Sequence, residues 1–251
     1  MGSDRSVAGD KERGSVERLV AGGAGLIRHS LGIRFVRGAL PGEEVLYRIR
    51  GKRKGVFVGE LLEVLTPSPD RVEPPCPYYD RCGGCELQEL EYGAQLEAKE
   101  EILREQLRRI GGFTDPPVEP IRSGPGYGYR TRLRLHRSAG GEYGFRERWS
   151  SIVVPVERCL VATDALNHEI ASLTDAPPDL GELRLAVADE GVLRSDRAEN
   201  GHATLLGYRI RFSGSGFFQG NLPLFERLLR ELVDAVDPPP NYLLYDLYGG
   251  T

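Results

Sequence analysis

From Val16 to Leu65 the apolar residues come in short runs broken by glycine, and the runs predict strands over 16–20, 33–36, 45–50 and 56–65. In the third run Val45, Tyr47 and Ile49 alternate with Leu46, Arg48 and Arg50, the two-residue period of a strand with one covered face. The breaks are Gly22-Gly23-Ala24-Gly25, Pro41-Gly42 and Gly51-Lys52-Arg53-Lys54-Gly55. Short strands with turn signals at this spacing predict a small OB-like β-barrel over 15–67, a form that often binds oligonucleotides. Residues 1–14 are polar and aperiodic and are expected to be disordered.

Beyond a proline-rich linker the pattern turns helical over 89–110, with Leu96, Leu103 and Ile110 as its stripe and Lys99 and Leu107 between them. Glu100 with Arg104 and Glu105 with Arg109 form i,i+4 pairs, and Gly111-Gly112 stops the helix. The stretch 129–137 is a strand of split character. Tyr129, Thr131, Leu133 and Leu135 face one way and Arg130, Arg132, Arg134 and His136 the other. A turn at Ala139-Gly140-Gly141 leads to a partner strand over 142–148. Next come a short helix ending near 173, strand-like runs at 183–188 and 204–212, and the loop 214–221. Asn221 is placed to cap a helix over 222–236, which Pro238-Pro239-Pro240 ends. The last apolar run, 242–248, leads into Gly249-Gly250, as at the start of a nucleotide-binding α/β domain. The expected fold class is mixed α+β: the barrel, a central α/β domain over 68–220, and at 221–251 the first strand of a truncated Rossmann-like domain.

Charge changes this picture in one respect. The net charge of −4 speaks against a polyanionic partner, but residues 1–72 hold thirteen Lys/Arg against nine Asp/Glu, and residues 122–148 hold seven Arg against two Glu. Segregation of this kind is a footprint for nucleic acid. Guanidiniums beside aromatics on the 129–148 strands make Arg130, Arg132 and Arg134 candidate RNA contacts; the alternative is a solvated sheet face. No apolar run reaches the length of a membrane span, so no membrane partner is expected, and a cytoplasmic monomer is.

The four cysteines are the sharpest chemical signal. Cys76, Cys82 and Cys85 make C-x5-C-x2-C, and Cys159 stands alone downstream. The polar start lacks the apolar core of a secretory signal, which disfavours disulfides. Four thiolates suit zinc or an iron–sulfur cluster, and spacing alone does not choose between them. Four ligands leave no open iron, so such a centre would be structural or electron-tuning.

Together these residues resemble the RNA (uracil-5-)-methyltransferases that carry a TRAM domain and a 4Fe-4S cluster. The likeness rests on LPGEEV (40–45), SPDRVEPPCPYYDRCGGCELQ (68–88), Cys159, SGSGFFQGN (213–221) and YDLYGG (245–250). It implies that the 15–67 barrel is a TRAM domain, that Cys76, Cys82, Cys85 and Cys159 hold the cluster, and that Gln219 and Tyr248 contact S-adenosylmethionine. It also implies RNA as partner, rRNA first and tRNA next. The family's glycine loop has a cysteine where this chain has Gly249, and its nucleophilic cysteine and glutamate base have no counterpart in these residues. C5 of uracil becomes nucleophilic only after a thiolate adds at C6, so the expectation is an N-terminal half that is inactive alone. The competing readings are a stand-alone RNA-binding iron–sulfur module and an electron carrier.

Overall fold

The computed structural model describes residues 9–148, 150–173, 181–237 and 241. Two units divide it: Met1–Pro77 with Cys85–Ile121, and Tyr78–Gly84 with Arg122–Thr251.

The first unit is built on β1 (Lys11–Ser15), β2 (Arg18–Leu19), β3 (Ala24–His29), β4 (Gly32–Arg37), β5 (Glu44–Arg53) and β6 (Val56–Thr66), in the order β1-β5-β6-β4-β3-β2. Only the β4–β6 pair is parallel. The two outer strands are halves of one bent segment. Ser15 pairs with Glu44 of β5, and the Val16 N–H donates to the Glu43 carbonyl. From Glu17, whose N–H donates to the Leu26 carbonyl, the same segment runs along β3. The sheet thereby closes on itself around Val16, Ile27, Val36, Val45, Tyr47 and Ile49. Gly14 permits the closure, because a Cβ there would stand 2.6 Å from Ile27 Cγ2.

Several expectations change here. Residues 11–14 are strand rather than disordered chain: the Glu12 carboxylate accepts from Arg34 and from the Tyr47 hydroxyl, both at 2.9 Å, and fixes β1 on the sheet. Residues 1–8 lie outside the described residues. The first glycine run is a turn at Gly22 and Gly23 followed by an unpredicted strand, β3. The break expected over 51–55 shrinks to Lys54-Gly55, both at positive φ, and β5 runs on to Arg53.

Glu43 of the LPGEEV segment is fully buried, accepting from the Leu40 N–H (2.8 Å), the Ser68 N–H (3.1 Å) and Arg71 Nε (2.6 Å). Helix α1 (Tyr92–Arg109) begins where the Glu91 carboxylate accepts from the Gly93 and Ala94 N–H groups. It covers Leu19, Leu40 and Leu90 with Ala94, Ala98 and Ile102. The predicted stripe is not the packed face: Leu103 is 46% and Ile110 85% exposed. Small alanines on the covered side carry little weight in a hydrophobic pattern, which is why the leucines misled. Both i,i+4 pairs form, and Gly112 at φ +74° ends the helix. The linker and α1 thus belong with the closed sheet, so the units do not part at residue 68.

The second unit contains β7 (Arg132–Arg137), β8 (Tyr143–Arg146), β9 (Val153–Pro155), α2 (Asp164–Ala171), β10 (Glu182–Ala188), β11 (Gly191–Arg194), β12 (Asn200–Leu205), β13 (Tyr208–Ser213) and α3 (Leu222–Val236). An antiparallel sheet runs β11-β10-β7-β8-β9, and β12 with β13 forms a separate hairpin. Leu166 and Ile170 of α2 pack on Leu133, Leu135, Leu183 and Leu185. The run expected as one strand over 204–212 is the hairpin's tip, turning at Leu206 and Gly207 with φ of +51° and +81°. Asn221 caps α3 as expected, its Oδ1 accepting from the Leu224 N–H at 3.2 Å. Pro238-Pro239-Pro240, the expected strand over 242–248 and Tyr248 lie outside the described residues. Among the described residues no helix is long and apolar enough to cross a membrane.

Candidate nucleic-acid interface

The alternation expected along 129–137 holds from Thr131 to Leu135, but β7 begins only at Arg132, and Tyr129, expected on the covered face, is half-buried and lines the groove with the arginines. Thr131, Leu133 and Leu135 are buried, while Arg130 and Arg134 are exposed and Arg132 is half-buried on the opposite face. Pairing of β7 with β10 puts Arg184 directly beside Arg134. Sequence reasoning passed over Arg184, although Leu183 and Leu185 flank it in the same alternation. The four arginines line one side of a groove of about 480 Å³, and the 214–221 loop lines the other.

The loop's two phenylalanines part company. Phe218 stacks on Phe212 at 4.5 Å and meets Phe225 edge-on at 6.4 Å, while Phe217 is 82% exposed at the groove. The loop's far end is tied to β7: the Thr131 N–H donates to the Gly220 carbonyl at 2.8 Å, and its hydroxyl to the Gln219 carbonyl at 3.5 Å. Gln219, the expected cofactor contact, is itself exposed.

Electrostatically the four arginines differ. Arg132 Nη2 donates to the Gly214 carbonyl at 3.3 Å and to the Gly216 carbonyl, and its guanidinium lies 5.6 Å over the Phe212 ring. Burial, then repulsion from Arg184, lower its pKa from the ordinary arginine value. Arg184 donates to the Ser215 carbonyl at 2.6 Å and to Glu182 at 2.9 Å. Arg134 has only a 3.5 Å contact with Glu182, and Arg130 has no side-chain partner among the described residues. The groove is therefore cationic, with an open aromatic ring: the features that hold phosphates and stack bases.

The four cysteines divide between the two units. None forms a disulfide, and all four are partly buried. Cys82 belongs to the second unit, where its N–H donates to the Tyr78 carbonyl at 2.7 Å and its Sγ accepts from the Gly84 N–H at 3.4 Å. Cys159, in the same unit, exchanges hydrogen bonds with the Asn167 side chain at 2.8 and 3.1 Å. Cys76 and Cys85 belong to the first unit. Among the described residues no group of three or more His, Cys, Asp or Glu is drawn together to hold a metal ion. Two of the four expected ligands thus belong to each unit.

No family model matches the chain. Curated proteins do. A 23S rRNA (uracil(1939)-C(5))-methyltransferase RlmD of Shewanella baltica is 36% identical over 200 residues, 74% of this chain and 44% of that protein. An uncharacterized RNA methyltransferase of Bdellovibrio bacteriovorus is 31% identical over 255 residues, 99% of this chain and 62% of its own length. Against an uncharacterized RNA methyltransferase of Gloeobacter violaceus, 38% identical, the chain spans 36% of the relative. The chain thus spans about a third to two thirds of the curated relatives it matches. Among solved structures, Pyrococcus abyssi tRNA (uracil-54, C5)-methyltransferase in complex with S-adenosyl-L-homocysteine shares the fold with a TM-score of 0.58 at 22% identity, over 88% of this chain and 64% of that one. In sequence and in fold, the chain is a relative of the RNA uracil-5-methyltransferases, matched along part of their length.

Proposed function

We propose that these residues are the RNA-holding part of an S-adenosylmethionine-dependent RNA (uracil-5-)-methyltransferase, with rRNA as substrate before tRNA. One observation carries the reading: Arg130, Arg132, Arg134 and Arg184 line the same groove as the exposed Phe217. Guanidiniums take phosphates and a flat ring takes an unpaired base. The closed six-stranded sheet supports a TRAM-type RNA-binding role for the first unit. By resemblance, Gln219 on the loop and Tyr248 beyond the described residues contact S-adenosylmethionine, which supplies the electrophilic methyl group. The chain's place is cytoplasmic, and it acts as a monomer.

A 4Fe-4S cluster on Cys76, Cys82, Cys85 and Cys159 belongs to this reading by resemblance and by the absence of disulfides. With those four thiols as ligands, no other cysteine in these 251 residues could add to C6 of uracil, so methyl transfer by them alone is not expected.

The test is binding of a single-stranded, uridine-containing rRNA fragment by fluorescence anisotropy across a salt series, on anaerobically purified protein. Affinity should fall linearly with log salt. Salt-independent or absent binding sinks the RNA reading. Iron and sulfide analysis of the same sample decides the cluster, which one stoichiometric zinc or no metal would rule out.

A further inference from the structure

We propose that Arg132 and Arg184 are positioning residues that clamp the 214–216 loop and so set where Phe217 and Gln219 stand, leaving Arg130 and Arg134 as the phosphate contacts of the groove. This division of labour rests on the RNA reading above.

Three consecutive carbonyls of the loop, Gly214, Ser215 and Gly216, each accept from one of the two guanidiniums. Arg132 serves the outer two and Arg184 the middle one. The loop adds its own closure: the Gly216 N–H donates to Ser213 Oγ at 2.8 Å, and Ser213 and Ser215 share a hydroxyl bond at 3.1 Å. On its other side the Phe218 ring is fixed against Phe212. Phe217 therefore sits between two anchored neighbours and is turned outward. Loosening either anchor frees it to move, and a stacking ring that must first be ordered binds more weakly.

Neither clamp arginine is well placed to take a phosphate. Arg132 would have to give up the two carbonyls that its Nη2 holds, and its Nη1 is buried away from solvent. Arg184 has Nη1 on the Ser215 carbonyl and Nε on Glu182, which takes two of its three nitrogens. Arg130 and the side chain of Arg134, 59% exposed, give up little or nothing. Four arginines in one sequence pattern thus fall into two classes by what their donors already hold.

The test combines two readouts on the whole chain. In the first, amide hydrogen exchange at 214–219 is followed in Arg132→Ala, Arg184→Ala and Arg134→Ala. Exchange there should speed up at least tenfold in the first two and stay unchanged in the third, with the amides of β7 and β10 still protected in all. In the second, binding of single-stranded RNA is followed across salt. Arg130→Ala with Arg134→Ala should flatten the slope of log affinity against log salt by about 1.4, two phosphate contacts on a single strand. Arg132→Ala and Arg184→Ala should lower affinity about tenfold, the scale of one stacked base, with the slope intact. Phe217→Ala should cause a similar loss, and adding it to Arg132→Ala should cost nothing more, because both act through the same ring. Arg184→Lys, which keeps one donor, should fall between wild type and Arg184→Ala. A flattened slope in Arg132→Ala, or unchanged loop exchange, overturns the clamp. If Arg132→Ala loses protection in β7 and β10, the Arg184 variants decide. If the wild-type chain binds no RNA, the RNA reading fails while the exchange experiment still decides the clamp.

Discussion

Arg34 in the first unit and Arg132 in the second are partnered in opposite ways. Arg34 in the closed sheet has no exposed surface and donates Nε and Nη2 to the Glu12 carboxylate at 2.9 and 3.1 Å. The Tyr47 hydroxyl donates to the same carboxylate, and the Phe57 ring lies 4.2 Å beneath the guanidinium. Arg132 in the groove donates through Nη2 to two carbonyls, which accept without cancelling its charge. The difference shows in the pKa directions. Burial alone would lower Arg34, but the Glu12 bonds outweigh it and leave Arg34 raised. Nothing outweighs burial at Arg132, and the neighbouring Arg184 lowers it further. A buried charge balanced inside the fold is architecture. One left unbalanced beside an open groove is available to organise the binding of an anion, even when part of its donor set is occupied.

The largest expected effect breaks that comparison from the first side. Arg34→Ala leaves the Glu12 carboxylate, 13% exposed, without its cation. Removing one partner of a buried pair costs about 3–5 kcal/mol, because the other charge stays behind. Urea titration followed through the protection of β3–β6 should register that loss. Arg132→Ala should cost about 1–2 kcal/mol, since its carbonyl partners sit on a loop that water can reach. Equal losses from the two would refute the distinction.

The next effect is acid sensitivity, which should fall on the first unit. At Glu12 and Glu43 burial pushes the carboxyl up, but the Arg34 and Arg71 hydrogen bonds, with others from Tyr47 and from backbone N–H groups, outweigh it, and both pKa values are lowered. A lowered folded pKa means that the unfolded chain takes up protons first as pH falls. The contribution is therefore complete above the unfolded carboxylate value, about 4.3, and is lost as pH drops through the lower folded values. Protection in β1 and β5 should decline below about pH 4.3. Glu43→Gln should lower stability at neutral pH and flatten the remaining acid dependence. Acid sensitivity unchanged in Glu43→Gln would mean that the pair does not control it.

Much of this was written in the sequence, and what was not has physical reasons. The alternation from Arg130 to Arg134 placed three arginines on one face because a two-residue period is a local property. Asn221 was legible because a cap reaches only to the following turn. The closure of the first sheet was not, because it depends on Val16 and Glu17 changing partners from β5 to β3, a choice made by distant residues. Strand β3 hid inside a glycine run, since Gly25 is there for contact: a Cβ would stand 2.5 Å from the Ala39 carbonyl oxygen. The groove was half legible. Arg184 comes from a strand almost fifty residues downstream of Arg134, and only the β7–β10 register brings them together.

The smallest expected effect sharpens the role of burial with distance held constant. Arg71 with Glu43 and Arg50 with Glu60 are both 2.6 Å ion pairs in the first unit. Glu43 has no exposed surface, whereas the side chains of Arg50 and Glu60 are 57% and 39% exposed. Water competes for the exposed pair, and ordering two long side chains costs entropy, so such pairs contribute about 0.2–1 kcal/mol. Glu60 also has Arg48 at 3.6 Å, so Glu60→Gln weakens two contacts at once and still leaves both arginines hydrated. Its effect on urea stability should be under about 1 kcal/mol and should shrink at high salt. Glu43→Gln, at the same nominal distance, should cost several times more and respond little to salt. If the two substitutions proved equal, distance rather than burial would govern the ion pairs of this sheet, and the contrast between Arg34 and Arg132 would lose its basis.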